Sequence, residues 1–230
     1  MKHKIYRIVC TALCCAPLLA TAQTGGKITS PQRLYEEGES LFRQKAFAAA
    51  MPPLQAFIKQ TDAEGAPVSA AGNKEEAEYM LVCAEYELRN PNSIELLREY
   101  LDTYPDTPHA NRICALIASA YFFEGKYDDA LAMFNSSRLD LLSNEERDDM
   151  TYRLATCYLK TGNVKEAAIW FETLRSTGSR YTADCTYYLA YIRYSQQRYD
   201  DALNGFLSLQ DNAKYEALVP YYIAEIYLIK

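Results

Sequence analysis

The residues of this chain that could do chemistry are few, and they are badly spaced for it. Paired carboxylates at Asp128-Asp129, Glu145-Glu146 and Asp200-Asp201 would suit general acid–base work. Four thiols, Cys83, Cys114, Cys157 and Cys185, would suit nucleophilic or metal chemistry. An acid–base pair needs two environments that push the two pKa values apart. Each of these pairs instead opens a helical pattern, where acids complement the positive end of the helix, so they read as solvated first-turn residues. The thiols form no C-x-x-C pair, and His109 is the only histidine after residue 22. That leaves no recognisable metal-ligand set. The chain also has no glycine-rich phosphate loop, H-E-x-x-H or nucleophile elbow. The sequence therefore predicts a non-enzyme without cofactor or metal, and the four of its seven cysteines that lie after residue 22 read as small buried apolar residues.

Repetition shows which elements hold these residues. Tyr127-Asp128-Asp129-Ala130-Leu131 returns unchanged as Tyr199-Asp200-Asp201-Ala202-Leu203, with a looser copy at Val164-Lys165-Glu166-Ala167-Ala168. A small residue recurs at Ala118, Ala155, Ala190 and Ala224, in steps of 37, 35 and 34, and Phe134, Phe171 and Phe206 step by 37 and 35. A period near 34 residues predicts stacked helix-turn-helix units. The alanines permit close helix approach, and the phenylalanine four residues after Ala130, Ala167 or Ala202 fills the space between pairs. Gly125 and Gly162 suit the left-handed residue that ends a helix. Gln197 makes the same turn in the third copy at some energetic cost.

With Ile117, Ala118, Tyr121, Ala130 and Phe134 in one copy and Leu154, Ala155, Tyr158, Ala167 and Phe171 in the next, the chain resembles the tetratricopeptide-repeat proteins. The third copy carries Leu189, Ala190, Ala202 and Phe206 but has Arg193 where the family has an aromatic. The resemblance implies an all-α, right-handed superhelical solenoid of antiparallel helix pairs. Two divergent copies lie upstream. In Pro31 to Thr61, Gly38 takes the small position and Pro52-Pro53 is expected near the start of the second helix; the other copy is Lys74 to Pro105. Asp62 to Asn73 reads as a loop. The Tyr104-Pro105-Asp106-Thr107-Pro108 turn is similar to that of periplasmic bacterial members of the family.

The ends carry further expectations. Lys2, Lys4 and Arg7, an apolar run from Ile8 to Ala20 and Ala20-Thr21-Ala22 have the form of a signal peptide over residues 1–22. The run is too short to span a bilayer comfortably, so no transmembrane span is expected in the mature chain. Leu13, preceding Cys14, is not the small residue that a lipid-attachment cysteine requires. The sequence thus predicts an exported protein, periplasmic or outer-membrane associated. A leader covers 23–33, and 34–230 holds about five helix pairs plus a sixth first helix, Tyr215 to Lys230, whose partner helix is expected beyond Lys230. After removal of residues 1–22 the chain has 21 basic against 30 acidic side chains, a net charge of −9. Without a basic footprint, nucleic acid is excluded as a partner.

Binding is the remaining class of function. The family resemblance implies a concave groove lined by first helices. Its register assigns to that groove Arg112, Phe122, Phe123, Tyr152, Lys160, Tyr187, Tyr191, Tyr194, Tyr221 and Glu225. Tyrosine combines a large contact area with a polar tip at small entropic cost, so a groove lined with it suits a peptide of an envelope protein partner, or a glycan. A docking arm of a longer enzyme is a third reading.

Overall fold

The computed structural model describes residues 30–63 and 73–230. The signal-peptide reading and most of the Asp62–Asn73 loop lie outside them. Five antiparallel helix pairs follow one another: α1 (Pro31–Arg43) with α2 (Phe47–Thr61), α3 (Lys74–Glu87) with α4 (Ser93–Thr103), α5 (Ala110–Phe123) with α6 (Tyr127–Asn135), α7 (Asn144–Lys160) with α8 (Val164–Ser176), and α9 (Thr182–Ser195) with α10 (Tyr199–Leu207). A short 3-10 turn, Leu139–Leu141, precedes α7, and α11 (Val219–Ile229) packs on α10. The described residues contain no strand.

Each pair closes by one device. The second residue after every first helix is left-handed: Lys45 (φ 59°), Arg89 (58°), Gly125 (75°), Gly162 (83°) and Gln197 (62°). The next amide then reaches back to satisfy a carbonyl of the last helical turn, as Lys126 does to Tyr121 and Arg198 to Arg193. Only two of the five are glycine. The turn is therefore imposed by helix packing even where a side chain disfavours it.

Small residues set the spacing inside the pairs. Ala118, Ala155 and Ala190 are fully buried against Ala130, Ala167 and Ala202, and Phe171 and Phe206 are also inaccessible. A Cβ on Gly38 would lie 2.6 Å from Leu54, so α1 and α2 approach too closely there for any larger residue. Two expectations need correction. Pro52 and Pro53 lie inside α2, not at its start. The helix begins at Phe47, so both prolines fall past the four amides that lack partners anyway, and each removes one backbone bond. At the other end, Tyr215 to Leu218 form turns before α11, with Tyr215 buried.

First helices touch first helices, α1 with α3, α3 with α5 and α5 with α7. Elements on the inside of a curve are the more closely spaced, so these helices form the inner wall. The core runs through the whole stack, without a single centre.

Candidate functional site

The inner wall between α3, α5 and α7 holds a cleft of about 320 Å³. Phe123, the last residue of α5, is its apolar centre and is 52% exposed. The Arg89 guanidinium stands 5.0 Å from the ring centroid and the Arg153 guanidinium another 5.0 Å. Such contacts hold both cations over a ring face. Arg153 donates to Ser119 Oγ (2.7 Å), which also receives the Tyr86 hydroxyl (2.6 Å), so the arginine is aimed from below. Arg89 is the left-handed residue of its turn, which projects it from the end of α3.

A second arginine network forms the adjoining wall. Arg112 donates to Glu146 Oε1 (2.7 Å) and to the Tyr79 hydroxyl (2.5 Å), and so ties α5 to both of its neighbours. Glu146 is fixed independently. Ser143 caps α7 by accepting the Glu146 amide, and the Ser143 hydroxyl donates to Glu146 Oε2 (2.8 Å). Burial alone would raise the Glu146 carboxyl, but the Ser143 and Arg112 contacts outweigh it and hold the group below its ordinary range. Glu146 is therefore an ion-pair member and not the solvated first-turn residue expected from the sequence.

From α7 onward the wall is aromatic. Tyr152 stacks on Tyr181 (4.4 Å, 12°) while Phe171 stacks on Tyr188 (5.0 Å, 15°). One unit later, Tyr187 stacks on Tyr215 (4.8 Å, 14°) and Phe206 on Tyr222 (4.8 Å, 5°). The same quartet thus occurs twice, its members displaced by 34 or 35 residues. Burial pushes the phenols of Tyr152, Tyr187 and Tyr215 well up, so they stay protonated.

The residues assigned to the groove from sequence separate accordingly. Phe123 lines the cleft and Arg112 its wall, whereas Phe122 turns back against Tyr127. Tyr152 and Tyr187 are engaged in stacking between pairs, and Lys160 is exposed at the end of α7. Tyr191, Tyr194 and Tyr221 meet edge-on around Tyr222. The neighbouring Glu225 carboxylate pushes the Tyr194 phenol up to about 12. Arg89, Arg153, Ser119 and Tyr222 were missed. Arg153, Tyr188 and Tyr222 share one register, in steps of 35 and 34, which was the available signal.

Little in this wall suits chemistry on a bound molecule. Burial pushes the Cys83, Cys157 and Cys185 thiols up to about 12, which suppresses the nucleophilic thiolate. All four described cysteines are free. What the cleft offers is an aromatic face, two guanidinium groups and acidic rims at Glu146 and Asp149.

Among the described residues, no helix is long and apolar enough to cross a membrane. A tetratricopeptide-repeat family model matches residues 115–181. No match was found among curated proteins. Three solved structures share the fold. MamA of strain AMB-1 is 18% identical with a TM-score of 0.59, the match covering 80% of this chain and 92% of MamA. PilF of Pseudomonas aeruginosa is 15% identical with a TM-score of 0.55, covering 86% and 89%. Ligand-free RapI is 17% identical with a TM-score of 0.57, covering 82% of this chain and 56% of RapI. With its repeated helix pairs and its alanine contacts, the chain has the fold of the tetratricopeptide-repeat structures, and its central repeats match the model of that family over residues 115–181.

Proposed function

We propose that this chain is a non-catalytic scaffold of the cell envelope that grips a segment of a partner protein in the cleft between α3, α5 and α7. The observation that carries the reading is Phe123, a large aromatic left half-exposed on the inner wall between two guanidinium groups. Aromatic residues and arginine dominate binding energy where they line a concave site. The envelope location rests on the signal-peptide form of residues 1–22. A saccharide is the alternative occupant, favoured by the open rings of Tyr191 and Tyr221 at the far end of the wall.

Capture from envelope extract separates these readings. A protein retained by the wild type and lost with Phe123→Ala, at unchanged helicity by circular dichroism, supports the cleft. The same catch with both forms overturns it. Glycan-array binding that disappears with Tyr191→Ala/Tyr221→Ala would support the saccharide instead.

A further inference from the structure

The last full pair departs from its predecessors at two positions that face the same space, on the side formed by second helices. Three residues after the small position of each first helix stand Tyr121, Tyr158 and then Arg193. One residue before the buried phenylalanine of each second helix stand Met133, Trp170 and then Gly205. Between α6 and α8, Tyr158 and Trp170 both line a groove of about 400 Å³. Between α8 and α10, neither bulky residue is present. An open groove of about 770 Å³ lies between α8 and α9, and it shares Leu189 and Arg193 with a pocket of about 250 Å³ beside Gly205. Gly205 is held in place by packing, because a Cβ there would lie 2.8 Å from that of Ala190. Position 205 therefore cannot carry a side chain into this pocket.

The groove has a definite chemistry. Its floor is Leu189 and Ile192, and its wall carries Ile169, an isoleucine left 64% exposed. Lys165 and Arg193 stand over this apolar strip. The other charges that line it are already engaged: Glu172 pairs with Arg175, and Arg198 with Asp201. Neither Lys165 nor Arg193 has an acidic partner within 4.0 Å among the described residues, in a chain of net charge −6. Two unpaired cations over an apolar strip call for an acid attached to an apolar side chain.

From this geometry we infer that the α8–α9 groove is a second docking site, separate from the inner cleft. It takes an amphipathic peptide segment of a partner protein whose carboxylate meets Arg193 and Lys165 while an apolar side chain covers Ile169. Arg193→Tyr restores the residue type of the two preceding pairs, so it removes the cation from the groove without introducing a foreign side chain. Lys165→Glu reverses the charge at an exposed helix position and leaves the packing alone.

The test is selection of a displayed library of random 16-residue peptides on the full chain, with counter-selection on the Arg193→Tyr variant. Recovered clones are expected to combine acidic with large apolar residues. Each should bind at least tenfold more weakly to Arg193→Tyr and to Lys165→Glu, and should weaken as salt is raised. Phe123→Ala should leave their binding unchanged, which separates failure of this site from failure of the inner cleft. Circular dichroism and thermal unfolding of both variants exclude misfolding as the cause. Clones that bind Arg193→Tyr equally well, clones without acidic residues, or no Arg193-dependent clones at all would overturn the assignment.

Discussion

The inner wall is joined in two ways along its length. From α3 to α7 the first helices touch, and arginines bind them: Arg112 between Tyr79 and Glu146, and Arg153 between Ser119 and Phe123. From α7 to α11, rings stand between the helices in two stacked quartets. The difference separates holding from recognising. Stacked rings bury apolar area and leave few hydrogen-bonding groups to share, so that half is a rigid support. Arginines have five donors each and keep some unused after fastening their neighbours, so the polar half can also read a partner.

The largest break in this comparison should come from the aromatic side. Phe206→Ala removes a fully buried ring from the second quartet and is expected to cost about 3–5 kcal/mol, read as a lowered urea midpoint. In a stack whose units touch only their neighbours, proteolysis should then begin at α9–α11 while α1–α6 persist.

The polar side should respond less, and in a diagnostic manner. Arg112→Ala leaves Glu146 Oε1 and the Tyr79 hydroxyl without the guanidinium that donates to both. Because 29% and 32% of the Arg112 and Glu146 side chains are exposed, the expected loss is about 1–2 kcal/mol, below that of a fully buried pair. Arg112→Met/Glu146→Met should recover most of it in denaturant titrations. If the double variant is as weak as Arg112→Ala, the network contributes attraction and not merely mutual compensation.

Acid should sharpen the contrast. Glu146 is held below its ordinary value of 4.5, so its ionised form contributes stability that is full above about pH 4.5 and is lost as pH falls through the folded value. Wild type should therefore lose stability more steeply than Glu146→Gln below that pH, whereas Phe206→Ala should keep the wild-type slope. Equal slopes for Glu146→Gln and wild type in thermal melts from pH 5 to pH 3 would remove Glu146 from the account. The smallest effect is expected at the turn of the aromatic half. Gln197→Gly relieves a left-handed side chain and should stabilise by about 0.5–1 kcal/mol, while Gly162→Ala should destabilise by a similar amount.

Much of the fold was legible because its rules are local. The alanine and phenylalanine periods located the helix contacts, and Gly125 and Gly162 located two turns. Lys45 and Arg89 disguised two others, since nothing in those side chains favours a left-handed backbone. The site was legible only in part. Projecting a register identifies which face of a helix a residue occupies, but not whether the next pair already covers that face. Tyr152 and Tyr187 were therefore assigned to the groove although Tyr181 and Tyr215 stack on them. Arg89 was invisible because it belongs to a turn and acts through a ring 34 residues away.

By itself, the sequence determined the unit, its length and its small-to-large packing code, because periodic contacts between adjacent helices repeat within about 35 residues. Tertiary structure alone decided which aromatic rings became support and which stayed open. That choice depends on how the loop before each next helix returns across the wall. It also decided that Arg193 and Gly205, 12 residues apart in the chain, line one pocket together.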